Sequence, residues 1–295
     1  MAPDRRFALL VNPASAGGKA LRTVGEAVEV MTSLGAEHRV VETTSADNAR
    51  EEAATAVSRG ETVVAVGGDG LVGLLAGVLK GGDSALAVVP AGRGNDFARV
   101  LKIPFEAAES ARVAVQAPER SVDVGAVDGK PFVCIASLGF DSDCNRIANE
   151  TKWLKGNLVY LYSALRVLAG WKPARFTARV DGEEHSWSGF SVAVANSKAY
   201  GGGMYVAPHA ELDDGRLEVL MTGGTSKLAF LRGVARSFKG AHVDDPNIHW
   251  YVGARIEVEA DRRFTVYADG DPIADLPVTV TVEPRALRVI APESA

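Results

Sequence analysis

The sequence predicts an α/β protein in two parts, a doubly wound parallel sheet followed by a largely antiparallel β domain. Three observations carry this. Short, continuously apolar runs alternate with helix-period segments from Phe7 to Gln116, the pattern of strands buried on both faces by helices. Beyond Ser121 strand-like runs separated by Gly, Asp and Asn clusters take over. Glycine-rich loops follow the first, third and fourth strands of the first part, so in a parallel sheet all three emerge at one carboxyl edge, where ligands bind.

Taken in order, Phe7–Val11 reads as a strand ending at Asn12-Pro13, and Ala20–Leu34 as a helix stopped by Gly35. Glu37–Thr43 is a strand, Asp47–Arg59 a helix closed by Gly60, Thr62–Val66 a strand, and Leu71–Leu79 a helix. Ala85–Pro90 and Phe105–Gln116 complete the alternation. In the second part the expected strands are Pro131–Ser137, Phe176–Val180, Phe190–Ala195, Arg216–Met221, Ile256–Ala260, Phe264–Tyr267 and Val278–Glu283. Helical insertions are expected near 143–170 and 226–239.

Composition narrows the function. The 295 residues suffice for one large or two ordinary domains, and 47% hydrophobic with 23% charged residues describes a folded soluble chain. A net charge of −5 offers no broad basic field, so nucleic acid is not expected as a partner. Cys134 and Cys144 are the only cysteines, which excludes a disulfide framework and paired CxxC zinc sites and fits a reducing cytoplasm. No run of about 18 uncharged apolar residues predicts a membrane span, and the apolar run before Asn12-Pro13 is too short for a signal-peptide core.

The sharpest stretch is 67-GGDGLVG-73. A loop leaving a strand and entering a helix offers free N–H groups and the positive helix end to phosphate, and glycines admit the ligand closely. Gly68, Gly70 and Gly73 match GxGxxG, but the acid expected about 20 residues on is missing, because the next strand ends in Pro90-Ala91-Gly92. A purely structural glycine turn stays open. The loops 11-VNPASAGGK-19 and 92-GRGNDFAR-99 join it, and none matches the GxxxxGK[ST] phosphate loop. Aspartates in two of three phosphate-type loops, Asp69 and Asp96, are explained by a nucleotide–Mg²⁺ site, since Mg²⁺ favours one or two carboxylates plus phosphate oxygens and water. Asp213-Asp214-Gly215 reads equally as a hairpin turn. In 268-ADGDPIADLP-277, Asp269 and Asp271 suit either a turn or a general-base pair. GxSxG and HExxH are absent, and the five histidines are scattered.

The ordered set NPASAGG, GGDG, GRGNDFAR, LDDGRLEV, DGD and PRALRVIAP resembles the diacylglycerol kinase catalytic family in its bacterial lipid kinase branch, related to sphingosine kinases. The resemblance covers essentially the whole chain. It implies an ATP-binding α/β domain over 1–122, a β-sandwich domain over 123–285, a last strand near 286–291 returning to the first domain, and an active site in the cleft. It further implies ATP held by Asn12, Thr43, the loop containing Gly67, Gly68, Asp69, Gly70, Leu71 and Gly73, and the loop containing Arg93, Asn95 and Asp96. Asp269 would be the proton acceptor and Asp271 its partner, with Asp69, Asp96 and Asp271 around Mg²⁺. A second, structural Mg²⁺ would fall on Asp214 with the backbone of Glu211 and Arg216. The implied activity is ATP- and Mg²⁺-dependent phosphorylation of a lipid hydroxyl, with diacylglycerol first. A sphingoid, glycolipid or soluble alcohol, or a nucleotide-binding homologue without turnover, is the alternative.

Three positions depart from the family pattern: Leu71 stands where threonine is usual, Arg93 where threonine or serine is usual, and Asp271 where glutamate is usual. Segment 152–172 reads as a helix with Leu154, Leu158, Leu161, Leu165 and Leu168 along one face. Lys152, Lys155 and Arg166 lie opposite, with Trp153 and Trp171 at its ends. It suits packing on the β domain, or transient contact with an anionic membrane surface. The resulting expectation is a cytoplasmic enzyme, peripheral at the inner membrane face at most, with dimerisation left open.

Overall fold

The computed structural model describes residues 5–151, 154, 157–224 and 226–293. In the N-terminal part, β1 (Phe7–Val11), β2 (His38–Glu42), β3 (Thr62–Gly67) and β4 (Leu86–Pro90) form a parallel sheet in the order β4-β3-β1-β2. β1, β3 and β4 are buried along their whole length, as their unbroken apolar sequences require. α1 (Lys19–Ser33) and α5 (Ala107–Gln116) pack together, and α2 (Ala46–Ser58) packs with α3 (Asp69–Leu79). Two separate apolar clusters result, with Ala20, Ala27 and Met31 in one and Ala53, Leu75 and Leu79 in the other, so the sheet is covered on both faces. Ser45 shows how the sequence starts such a helix: its hydroxyl accepts from the Asn48 amide at 3.1 Å, while the Asn48 side chain accepts from the Thr44 amide at 3.0 Å.

The C-terminal part runs through β5 (Glu119–Val127), β6 (Lys130–Phe132), β7 (Ile135–Gly139), α6 (Phe140–Glu150), α7 (Asn157–Gly170), β8 (Ala174–Val180) and β9 (Glu183–Ala195). It continues with β10 (Leu217–Gly223), α8 (Lys227–Ser237), β11 (Ile248–Gly253), β12 (Arg255–Ala260), β13 (Thr265–Ala268), β14 (Asp271–Asp275) and β15 (Val278–Ile290). Its pairings are antiparallel, and its core is aromatic: Phe140, Trp171, Phe190 and Phe230 are linked by ring contacts, and Phe264 joins Trp171 to Phe176.

β15 joins the two parts. Its first half pairs with β12, and its far end lies parallel to β4 at Val289–Leu86, while β5 pairs along both halves. The register breaks between Glu283 and Leu287, where Arg285 adopts φ 51°. Asp123, fully buried, secures that break by accepting from the Arg285 amide at 2.7 Å and from the Gly215 amide at 2.7 Å.

Several expectations change. The single strand expected over Pro131–Ser137 is two strands, because the amides of Val133 and Cys134 leave the ladder to bind a carboxylate. The stretch 268–277 is a hairpin rather than a bare turn: Ala268 pairs with Asp271 across Asp269-Gly270, whose φ values of 51° and 94° are those of a primed turn. β5, β11 and the short α4 (Asp96–Val100) are additional elements. In α7 the inward face carries Val159, Ser163 and Val167, while Leu165 is 52% exposed, so the described part of the leucine stripe does not all face the core. Lys152, Trp153 and Lys155 lie outside the described residues, as do the side chains of Leu158 and Leu161.

Candidate active site between the two parts

The glycine turn is built by close approach of two loops. A Cβ placed on Gly68 would sit 2.9 Å from the Cα of Gly92, and one on Gly92 would collide with the Cα of Gly68. Only glycine at both positions lets the loops after β3 and β4 touch. Leu71 points away from this opening. It is buried, and a Cβ on Gly67 would meet its Cδ2 at 2.9 Å, so the leucine packs back over the end of β3. α3 is preceded by Gly68 as its N-cap, with no side-chain cap; the Leu71 amide turns back to the Gly68 carbonyl at 3.1 Å, and the amides of Asp69 and Gly70 stay open at the positive helix end.

Asp69 turns its carboxylate onto the neighbouring loop. Its oxygens accept from the Asn95 amide at 2.8 Å and the Asp96 amide at 2.7 Å, capping α4. Asn95, in the left-handed region at φ 51°, closes its own loop by accepting from the Gly92 amide at 2.8 Å. Asp96 repeats the device across the cleft, accepting from the amides of Gly202 and Gly203 at 2.9 and 2.8 Å. Both glycines have positive φ, 82° and 104°, so a three-glycine run here is a backbone cradle for a carboxylate. Burial raises the Asp96 pKa, against the lowering effect of the Gly202 amide.

From the C-terminal part, the β13–β14 hairpin leans over the start of α3. Asp269 Oδ2 would lie 3.5 Å from a Cβ on Gly73, and Asp271 Oδ2 3.6 Å from one on Gly70. The Asp269 carboxylate accepts from the amides of Val133, Cys134 and Ile135 at 2.7, 2.9 and 3.1 Å. Burial pushes its pKa up to about 6, the three amides pulling the other way and the Asp69 charge adding to the rise. Asp271 has an exposed residue surface and no hydrogen-bond partner among the described residues, and burial of its carboxyl raises its pKa.

The cleft thus brings together the Gly67–Gly73 turn, the Gly92–Asp96 loop, Asp269 and Asp271. Asn12 and Thr43 sit at the same carboxyl edge of the sheet. The Asn12 side chain accepts from the Ala14 amide at 3.0 Å, and the Thr43 hydroxyl donates to the Val11 carbonyl at 3.0 Å. Arg93 is exposed. Glu211, Asp214 and Arg216 belong to another cluster, around Asp123. There Glu211 pairs with Lys198 at 3.0 Å, and Asp214 accepts from the Arg216 amide at 2.9 Å. Among the described residues no group of three or more His, Cys, Asp or Glu side chains is poised to hold a metal.

Sequence reasoning missed the partners of these carboxylates: the amides of Val133–Ile135, the Gly202-Gly203 cradle, Asp123, and Ser15, whose hydroxyl donates to the Ala91 carbonyl at 3.2 Å. The run Gly201–Gly203 was the available signal.

Residues 6–127 match the family model of the diacylglycerol kinase catalytic domain, and residues 134–291 match that of the YegS C-terminal NAD kinase beta sandwich-like domain. This chain belongs to the diacylglycerol kinase and YegS-like lipid kinase family. A diacylglycerol kinase of Mycobacterium tuberculosis is 33% identical over 96% of this chain and 94% of its own. The "Probable lipid kinase YegS-like" protein of Pseudomonas aeruginosa is 31% identical over 96% of this chain and 93% of its own. A crystal structure of a diacylglycerol kinase from Bacillus anthracis shares the fold, with TM-score 0.77 at 20% identity over 97% of each chain. The protein is accordingly a lipid kinase, built as a parallel-sheet domain and a β-sandwich domain. No helix among the described residues is long and apolar enough to cross a membrane.

Proposed function

We propose that this kinase transfers the γ-phosphate of Mg-ATP to a lipid hydroxyl, with diacylglycerol giving phosphatidic acid as the reference reaction. The observation that carries the reading is the seating of Asp269 and Asp271 over the uncapped start of α3, beside the Gly68–Gly92 contact. Phosphates against free amides and an acid able to accept a proton from the attacking hydroxyl are the two requirements of phosphoryl transfer to an alcohol.

In the step proposed, the acceptor oxygen bonds to the γ-phosphorus as the bond from that phosphorus to the bridging β–γ oxygen breaks. ADP leaves with the bonding pair, and the hydroxyl proton passes to Asp269. A carboxylate lifted toward 6 is a stronger base than an ordinary aspartate, yet remains mostly ionised near neutral pH. The three amides fix its direction. Asn12, Thr43 and the 92–96 loop would border the nucleotide, with Arg93 free to reach its phosphates.

The donor set fits Mg²⁺. Asp271 lacks a hydrogen-bond partner, and each oxygen of Asp69 and Asp96 carries a single amide, leaving lone pairs for water-mediated contact. When bound there, Mg²⁺ would neutralise charge on the phosphates. Leu71 weakens none of this, since its side chain belongs to the core. Contact with a membrane surface through 152–172 belongs to the same reading, with Arg166 and Leu165 exposed on α7.

The test is transfer of labelled phosphate from Mg-ATP to diacylglycerol in mixed micelles, with Asp269→Asn as the control. Transfer by the wild type and its loss in the variant are expected. ATP binding without transfer to any lipid alcohol would overturn the proposal.

A further inference from the structure

α8 carries apolar residues on two sides. Its inward side is set by the buried Phe230, which stacks on Phe190 at 4.1 Å and meets Phe140 edge-on at 4.7 Å, with Ser237 buried two turns later. Both ends are fixed: the Ser226 hydroxyl accepts from the Ala229 amide at 3.2 Å, and the Ser237 carbonyl accepts from the Tyr205 amide at 2.9 Å. At about 3.6 residues per turn the outward side carries Leu228, Ala235 and Phe238, spaced i, i+7 and i+10, with Val234 and the half-buried Leu231 alongside. Leu228 is 59% exposed and Phe238 52%. A helix that serves only the core puts polar residues there.

The charge around this stripe is one-sided. Between Glu218 and Asp244 the chain has four cations, Lys227, Arg232, Arg236 and Lys239, and no acid, in a protein of net charge −5. All four are exposed, and none is in an ion pair among the described residues. Arg236 also acts on Asp245, just beyond the helix. Lys227 Nζ donates to the Ala169 carbonyl at 2.9 Å, tying α8 to the end of α7. At its other end, the segment from Tyr205 that seats Ser237 continues directly from Gly201–Gly203, whose Gly202 and Gly203 amides hold Asp96 at the cleft. α8 therefore runs from the end of α7 toward the edge of the active site.

The charge selects what covers this face. A second copy docked through the same face would set the same cations against each other. A nucleic acid would meet the cations and leave Leu228 and Phe238 in water. An anionic bilayer takes both, with headgroup phosphates for the cations and the acyl boundary for the apolar stripe. The acceptor of a lipid kinase resides in such a layer.

We propose that α8 docks this kinase on an anionic phospholipid bilayer. Leu228 and Phe238 enter the boundary between headgroups and acyl chains, and Arg232, Arg236 and Lys239 face the lipid phosphates. This extends the membrane contact proposed through 152–172. Vesicle binding is read without turnover, so this inference and the phosphoryl-transfer reading fail separately.

Co-sedimentation of the full chain with phosphatidylcholine vesicles, with and without phosphatidylglycerol, tests it. The wild type is expected to bind the anionic vesicles at least about 10-fold more tightly than the neutral ones, and to lose that advantage in high salt. Leu228→Gln with Phe238→Gln is expected to weaken binding to anionic vesicles about 10- to 100-fold, as two large apolar side chains leave the interface. Arg232→Gln with Lys239→Gln is expected to weaken it about 10-fold at an unchanged melting temperature. This charge pair carries the test if the apolar pair fails to fold. Absence of wild-type binding to anionic vesicles overturns the inference, as does undiminished binding by the folded variants. Wild-type dimers that the apolar pair dissociates, with vesicle binding kept, would instead assign α8 to contacts between copies.

Discussion

The two walls of the cleft treat their carboxylates differently. On the parallel-sheet wall, Asp69 and Asp96 each receive two backbone amides and thereby hold loops in place. On the sandwich wall, Asp269 is held by three amides, whereas Asp271 and Asp141 have no hydrogen-bond partner among the described residues. The acids of the glycine loops therefore build the site before they meet any ligand. The carboxylates of Asp271 and Asp141 opposite hold no loop in this way. An aspartate in a phosphate loop is tolerable in part because its charge is already engaged by amides.

The contrast breaks most sharply at Asp269. Asp269→Asn replaces one acceptor oxygen with an NH₂ group facing amide donors and removes the proposed base, so turnover should fall about 10²- to 10⁴-fold. Steady-state kinetics beside a thermal melt would check this. A fall in melting temperature with turnover intact would move Asp269 to the building set. Asp96→Asn probes the other wall: one of its two amide bonds must be lost, which should lower stability by about 1–3 kcal/mol in chemical denaturation. Gly92→Ala drives a methyl into Gly68 and should cost a similar 1–3 kcal/mol, with weaker ATP binding by calorimetry.

How far the sequence carried depended on where each signal lay. The alternation of apolar strands and helices placed β1, β3 and β4 within a residue, because strands buried on both faces read as unbroken apolar runs, and it placed the half-buried β2 by its position between two helices. β5, β11 and β14 were missed because edge and bridging strands carry mixed polarity, as Glu119-Arg120-Ser121 and Asp271–Asp275 do. Asp69, Asp96, Asp269 and Asp271 stood out through spacing and family resemblance. Their bonding did not, since an amide donor such as Val133 or Gly203 leaves no mark on side-chain identity. Leu71 looked like a defect in the motif, yet it is a core residue packed on the end of β3. Leu71→Thr should therefore cost roughly 1–3 kcal/mol of stability by denaturant titration, without improving ATP affinity.

The smallest expected effect sharpens the contrast through pH. Asp141 titrates near 6 in the folded chain, above its ordinary value of 3.8, so its ionised form is disfavoured by folding. Its contribution to stability therefore declines as pH rises from about 4 to 6 and stays low above that. Asp141→Asn should gain about 1–2 kcal/mol at pH 7 after allowance for solvent screening, and nothing below about pH 4. Denaturation curves at the two pH values would show it. A variant less stable at pH 7 would mean that Asp141 already has a partner in the folded chain.

The central claim is that the acids of the sandwich wall act on a lipid hydroxyl beside ATP bound at the glycine turn. Single-turnover transfer of γ-labelled phosphate from Mg-ATP to a lipid alcohol tests it most directly, with wild type and Asp269→Asn compared at equal ATP occupancy. The account predicts a labelled phospholipid from the wild type and a rate at least about 10²-fold lower from the variant. Equal rates from the two proteins, or ATP bound with no lipid labelled, would contradict it.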